Sequence, residues 1–169
     1  MTRLATIVLA ALIAGCSVAV LSVAEPWSAD TEQPRQIEVV DGDTIRLDGR
    51  SIRLWGIDAP ESGQTCTDGS GKTYDCGRMA GGFLLRALVR APGVICHTKD
   101  TDRYGRTVAV CANSEGDLGA RLVAAGWAID YRRYSLGAYR DQQAAAKAER
   151  LGIWSGTFVP PEEYRRSKR

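Results

Sequence analysis

Short runs of alternating apolar and polar residues dominate the first part of the chain after residue 35. The alternation predicts strands over residues 36–40, 44–47 and 52–57, each rich in β-branched side chains and bounded by Asp or Gly. Asp48 and Gly49, between the second and third runs, are the residue types that a two-residue hairpin turn prefers. The pattern therefore predicts a hairpin that carries a loop at each of its outer ends.

The rest of the chain alternates between helical and strand periodicity. An apolar stripe that ends before Pro92 predicts a helix over 77–90, and two β-branched runs predict strands over 94–98 and 107–112. Asp117 is placed to cap a short helix that ends near Gly126, and a last helix is predicted over 139–151. Five short strands with a helix after the third predict an α+β fold, with a closed five-stranded barrel of the oligonucleotide-binding (OB) type and three helices.

The segments outside residues 36–155 have a different composition. Residues 1–24 combine Arg3 with an uncharged run over 4–24, which is typical of a signal peptide cleaved after Ala24. The run is also long enough for an uncleaved membrane anchor, and Cys16 lies in a sequence that resembles a lipoprotein cleavage box. All three interpretations predict an exported domain, secreted, periplasmic or anchored outside the cytoplasm. Residues 25–35 are interpreted as a linker and residues 156–169 as a basic, solvated tail.

Net charge does not by itself indicate a polyanionic partner. The 169 residues contain 22 Lys and Arg against 20 Asp and Glu, a net charge of +2, which falls to +1 when Arg3 is removed with residues 1–24. A nucleic acid would therefore have to bind a local basic patch. The candidate basic residues are Arg46, Arg50, Arg53, Arg103 and Arg106, together with Arg165, Arg166, Lys168 and Arg169 in the tail.

Four cysteines remain when Cys16 is set aside, an even number in a chain that is predicted to be exported. Three connectivities are possible, and the local one pairs Cys66 with Cys76 and Cys96 with Cys111. A zinc site is the competing interpretation. The spacings contain no Cys-x-x-Cys, however, and the only histidine is His97, so the pattern favours disulfides.

Acidic residues cluster in the two loops that flank the predicted hairpin. Asp41 and Asp43 precede the second strand, and Asp58 and Glu61 follow the third. Carboxylates that converge with backbone carbonyls form the hard-oxygen environment that Ca²⁺ accepts readily and Mg²⁺ with stricter geometry. Arg53 on the third strand and Arg106 on a later turn add two guanidinium groups, which suit the oxygens of a phosphodiester.

The chain resembles the staphylococcal nuclease (thermonuclease) family over about residues 36–155. The matching pieces, in order, are Asp41-Gly42-Asp43-Thr44, Ile52-Arg53-Leu54, Asp58-Ala59-Pro60-Glu61, Asp102-Arg103-Tyr104-Gly105-Arg106, Gly126-Trp127-Ala128 and Gly152-Ile153-Trp154. The resemblance implies the OB-type barrel, dependence on Ca²⁺, and hydrolysis of phosphodiester bonds in DNA and RNA.

The resemblance also implies a role for each matching residue. Asp43, Asp58 and the backbone carbonyl of Ala59 match the metal ligands, and Glu61 matches the residue usually assigned as general base. The sequence departs from the best-known member at Ala59, where a threonine hydroxyl is lost, and in the loop after Glu61. Arg53 and Arg106 match the two phosphate-binding arginines, and Arg103 stands where some relatives use a lysine on a terminal phosphate. Tyr104, with Tyr131 or Tyr134, is the candidate to stack on the nucleotide or to hydrogen-bond to it.

A binding protein without catalytic activity is the alternative, either an OB-type nucleic-acid-binding module or a protein-interaction module. Such a protein is expected to lack part of the catalytic set. This sequence retains all five of its charged members, which are Asp43, Asp58, Glu61, Arg53 and Arg106. The sequence therefore predicts a monomeric, metal-dependent nuclease.

Overall fold

The computed structural model describes residues 36–168. Residues 1–35 and Arg169, and with them the predicted leader, the linker and Cys16, lie outside the described residues. No helix within 36–168 has the length and apolar character needed to cross a membrane. The elements in chain order are β1 Ile37–Val39, β2 Thr44–Leu47, β3 Arg50–Leu54, β4 Ile57–Asp58, β5 Thr65–Thr67, β6 Thr73–Asp75, α1 Cys76–Arg90, β7 Ile95–Thr101, β8 Thr107–Asn113, β9 Gly116–Asp117, α2 Leu118–Ala124, β10 Ile129–Asp130, α3 Arg132–Ser135, α4 Arg140–Ala148, a 3-10 turn Gly152–Ser155, and α5 Pro161–Ser167.

The main sheet has the order β1-β2-β3-β8-β7, and β9 pairs with β8. Leu47 pairs with Arg50, which confirms the predicted two-residue turn of the hairpin. β3 and β8 run parallel, whereas the other neighbours in this sheet are antiparallel. The predicted closed barrel is not confirmed, because the pairing path within residues 36–168 begins at β1 and ends at β7.

The predicted third strand, 52–57, is two strands in the structure. β3 ends at Leu54, and the Trp55 backbone N–H donates to the Ala109 carbonyl at 2.8 Å. The chain then turns at Gly56, whose carbonyl accepts from the Tyr131 N–H at 2.9 Å, and β4 pairs with β10 instead. Asp58 therefore lies on a different sheet from Arg53, and the turn between them lets the two side chains meet.

Three helices match the predictions closely. α1, α2 and α4 correspond to the expected helices over 77–90, 118–126 and 139–151. Asp117 caps α2 as predicted, with its carboxylate accepting from the Gly119 N–H at 2.7 Å. The described residues contain five α-helices, however, because α3 and α5 were not predicted. The α+β class is confirmed. Within the segment interpreted as a basic tail, Pro161–Ser167 form α5, and Pro161 is buried.

The core lies between the main sheet and helices α1 and α2. Leu84 on α1 and Leu122 on α2 are fully buried against strand residues such as Ile45 and Leu54. Burial of side chains of this size stabilises the fold by about 1.5–3 kcal/mol each. The predicted disulfides are confirmed: Cys66–Cys76 joins β5 to the start of α1, and Cys96–Cys111 joins β7 to β8.

Candidate active site

The two acidic loops touch each other through a glycine. A Cβ atom at Gly42 would lie 2.7 Å from the Cβ of Ala59 on the second loop and 2.7 Å from the Cβ of Ala80 on α1. Only glycine allows this approach without displacing the neighbours. The glycine of the Asp41-Gly42-Asp43 sequence therefore brings the first acidic loop against the second.

Arg53 connects the two loops by binding an acid from each. Its Nη1 lies 2.5 Å from Asp43 Oδ1 and its Nη2 lies 2.8 Å from Asp58 Oδ1. The Arg53 side chain is 16% exposed, and the two carboxylates are 3% and 0% exposed. Burial works to lower the pKa of Arg53, but the adjacent charges of Asp43 and Asp58 outweigh it and raise that pKa. The structure therefore places Arg53 in a buried ion-pair network.

Asp43 is fixed by further hydrogen bonds. Its Oδ1 accepts from the Thr44 hydroxyl at 3.0 Å, and its Oδ2 accepts from the Ala59 backbone N–H at 3.2 Å. Burial is the main cause that raises the pKa of Asp43, and Arg53 opposes the shift. The bond from the Ala59 N–H joins the second acidic loop to the Asp43 carboxylate.

The backbone of Glu61 packs against the N-terminus of α1. A Cβ atom at Gly77 would lie 1.9 Å from the Glu61 carbonyl oxygen, so this close packing needs glycine. The Glu61 N–H donates to Gln64 Oε1 at 3.0 Å, and Gln64 is fully buried. Sequence reasoning missed Gln64, because a lone glutamine in a loop belongs to no recognisable pattern.

The sequence named Arg165 only as a basic residue of the tail, and its place beside the acidic loops was not predicted. Its Nη1 lies 2.8 Å from Asp58 Oδ1 and 2.6 Å from Glu61 Oε1, and its Nη2 lies 3.1 Å from Asp58 Oδ2. The adjacent Asp58 and Glu61 charges overcome the effect of burial and raise the pKa of Arg165. Its helix could have been found in the sequence, since Pro161 at the first helical position is followed by acidic and then basic residues.

Arg106 lies on a separate, self-contained turn between β7 and β8. Asp102 Oδ1 accepts from the backbone N–H groups of Tyr104 and Arg106, each at 2.9 Å. Its Oδ2 binds Nε and Nη2 of Arg106 at 2.7 Å. Partial burial opposes ionisation of Asp102, but the hydrogen bonds from Arg106 and Tyr104 outweigh it and lower the pKa of this carboxyl. These contacts, which orient Arg106, all lie within residues 102–106.

Tyr104, Arg103 and Tyr131 line the same cleft as Arg53, Glu61 and Arg106. The guanidinium of Arg103 lies 4.9 Å from the centre of the Tyr104 ring. Tyr131 lines the cleft beside Tyr134, and the centres of their rings are 4.9 Å apart. The cleft has a volume of about 960 Å³. Asp43, Asp58 and Ala59 are not among its lining residues, whereas Arg53 and Arg165, the two arginines bound to the acids, are.

The donor chemistry of this cluster fits a hard divalent cation. Burial raises the pKa of Asp58, and the neighbouring Asp43 charge adds to that shift, so the pair favours additional positive charge. Within residues 36–168 no three His, Cys, Asp or Glu side chains converge as a complete ligand set. The resemblance assigns Asp43, Asp58 and the Ala59 carbonyl as the protein oxygens that would hold the ion, and Ca²⁺ accepts water for its remaining positions.

Comparison with known proteins places the chain in a family. Residues 51–156 match the family model described as staphylococcal nuclease homologue. The succinoglycan biosynthesis protein ExoI of Rhizobium meliloti is 37% identical over 70% of this chain, and the chain spans 63% of that relative's length.

Two further relatives are covered over most of their length. An uncharacterized endonuclease of Haemophilus influenzae is 29% identical over 89% of this chain and 82% of its own. The micrococcal nuclease of Shigella flexneri is 32% identical over 95% of both chains. The chain therefore belongs to the staphylococcal nuclease family of nuclease enzymes.

Proposed function

We propose that this protein is a calcium-dependent phosphodiesterase that hydrolyses DNA and RNA. The observation that carries the proposal is the composition of one cleft wall. Glu61, Arg53 and Arg106 line the cleft together, and two buried acids lie directly behind Arg53. A carboxylate and two guanidinium groups around one space are suited to a phosphodiester and an attacking water.

Asp43, Asp58 and the carbonyl of Ala59 would hold the calcium ion. When bound, such an ion would lower the pKa of a coordinated water and offset negative charge at the phosphate. The protein prepares this position by fixing both acids before the ion arrives. Arg53 and the Ala59 N–H hold Asp43, and Arg53 also holds Asp58, so little reorganisation of the acids is needed.

Glu61 is the residue that would accept a proton from the attacking water. Its side chain is 29% exposed at the cleft, while its backbone is fixed by Gln64 and by packing against Gly77. A carboxylate on a rigid backbone can be positioned for proton transfer, and such positioning contributes about 10²- to 10⁴-fold to rate. We assign Glu61 as the general base on this ground.

Arg53 and Arg106 would donate hydrogen bonds to the phosphate oxygens. A guanidinium carries five N–H donors, so the bonds from Arg53 to Asp43 and Asp58 leave other donors for the substrate. Charge that develops on the oxygens during the reaction is stabilised by donors already in place. Arg103, Tyr104 and Tyr131 would contact the nucleotide, and stacking on an aromatic ring tolerates any base.

The test is hydrolysis of single-stranded DNA and of RNA by the purified full-length protein. We expect cleavage that requires Ca²⁺, stops with a chelator, and falls about 10²- to 10⁴-fold in Glu61→Gln. Glu163→Gln is the matched control, because Glu163 lies in the exposed first turn of α5 and outside the cleft. Binding without hydrolysis would instead favour the non-catalytic module. Normal turnover of an Asp43→Ala, Arg53→Ala double variant would contradict the assigned site.

We also propose that the domain acts as a monomer outside the cytoplasm. The two disulfides support an oxidising compartment, since such bonds persist mainly in exported proteins. Mass measurement of the protein recovered from its native compartment will distinguish a start at Met1, a start at Glu25 and a lipidated Cys16. Reduced thiols at all four positions in the native protein would contradict export.

A further inference from the structure

The segment that follows the family match is docked on the catalytic loops. The matched region ends at residue 156, and residues 157–167 return toward the cleft. Thr157 and Thr67 exchange backbone hydrogen bonds of 2.8 and 2.9 Å, and Gln64 Nε2 donates to the Val159 carbonyl at 2.7 Å. Pro161 is buried at the start of α5. The C-terminal segment is therefore held in place by contacts other than its arginines.

This docking delivers Arg165 to two of the catalytic carboxylates. Arg165 binds both oxygens of Asp58 and one oxygen of Glu61, over distances of 2.6 to 3.1 Å. Arg53 binds Asp58 from its other side, so two guanidinium groups share Asp58 Oδ1 at 2.8 Å each. Three carboxylates, those of Asp43, Asp58 and Glu61, are thus neutralised in part by two arginines.

A divalent cation and Arg165 cannot both keep these contacts. The ion would need oxygens of Asp58 that Arg165 already binds, and the two cations would repel each other at contact distance. Arg53 would stay, because it lies on β3 and also binds Asp43. Arg165 lines the open cleft and is 30% exposed, so its side chain has space to leave.

We propose that Arg165 is a built-in competitor of the metal ion. Without the ion, the Arg165 side chain binds the carboxylates of Asp58 and Glu61. It leaves both carboxylates when a divalent cation binds. The C-terminal helix thereby sets the calcium concentration at which the acids and the general base become available. This inference rests on the proposed calcium-dependent function and assigns a part in it to a residue outside the family match.

The test is calcium binding, measured by titration calorimetry on the full-length protein. Arg165→Gln removes the charge, and we expect its Kd for Ca²⁺ to fall at least tenfold. Arg166→Gln is the matched control on the same helix: Arg166 pairs with Glu162, its side chain is 68% exposed, and its Kd should stay within twofold of wild type. Arg165→Lys keeps the charge without the bidentate fork, and its Kd should lie between those of wild type and Arg165→Gln.

A second readout follows the arginine itself. In wild type, the NMR signal of the Arg165 guanidinium, identified by its absence in Arg165→Gln, should change from an ordered to a mobile side chain as Ca²⁺ is added. A Kd in folded Arg165→Gln that is equal to or weaker than in wild type would overturn the competition but leave the proposed nuclease intact. Absence of Ca²⁺ binding in every variant would overturn both proposals.

Discussion

Arg53 and Arg106, the two arginines that we assign to the phosphate, are held in opposite ways. Arg53 lies in a network built from residues on two loops and two sheets, and its side chain is 16% exposed. Arg106 lies in a five-residue turn, is 31% exposed, and binds Asp102. One proposed phosphate-binding residue is thus also part of the framework of the fold, and we predict that the other can be exchanged with little effect on stability.

Replacement of Arg53 is the most damaging change that we predict. Arg53→Ala leaves Asp43 and Asp58 buried without their shared partner, and breaking a buried ion pair costs about 3–5 kcal/mol. We expect this loss in the free energy of unfolding, measured in urea, together with loss of hydrolysis. Arg53→Lys is the control that keeps the charge but not the fork, and it should be less destabilised. Wild-type stability in Arg53→Ala would remove the contrast with Arg106.

Replacement of Arg106 should separate activity from stability. Arg106→Ala removes a donor to the phosphate, and we expect kcat/KM to fall about 10²- to 10³-fold. The free energy of unfolding should change by less than about 1 kcal/mol, because Arg106 is partly exposed and its pair with Asp102 is local. Steady-state kinetics and urea unfolding on the same sample will check this. A stability loss equal to that of Arg53→Ala would show that the two arginines are equivalent.

The two disulfides offer a similar comparison. Cys96–Cys111 joins the strands that flank the Arg106 turn. Cys66–Cys76 joins β5 to the start of α1, against which the Glu61 backbone packs. Replacing either pair by serine should cost about 2–4 kcal/mol. We expect turnover to fall only when Cys66–Cys76 is lost, since Asp102 maintains the Arg106 turn by itself. Equal losses of turnover in both variants would contradict local control of that turn.

The smallest expected effect concerns Asp102 and pH. The pKa of Asp102 is lowered in the folded protein, so the carboxylate stabilises the fold above its ordinary pKa of about 4, and that contribution is lost as pH falls through the lowered value. Asp102→Asn should therefore be less stable than wild type at pH 7 by less than about 1 kcal/mol, and this difference should shrink in acid. Urea unfolding at pH 7 and pH 3 measures both. A difference that grows in acid would contradict the lowered pKa.

The sequence predicted those parts of the molecule that depend on local pattern. The hairpin turn, the Asp117 cap of α2 and the local disulfide pairing all depend on residues close together in the chain. The break of the third predicted strand at Trp55 depends on contacts with Ala109 and Tyr131, which no local pattern records. For the same reason, the contact between Arg165 and Asp58, which lie 107 residues apart in the chain, was not predicted.

The parallel pairing of β3 with β8 has a consequence for the order of folding. Arg53 pairs with Val108 in register, so β3 can be completed only after a loop of more than fifty residues has closed. The β7–β8 hairpin closes over a few residues, and loop closure of this kind is faster. We therefore expect the Arg106 turn to form before the transition state, and the ion pairs of Arg53 to form after it. Loss of these late contacts would mainly accelerate unfolding.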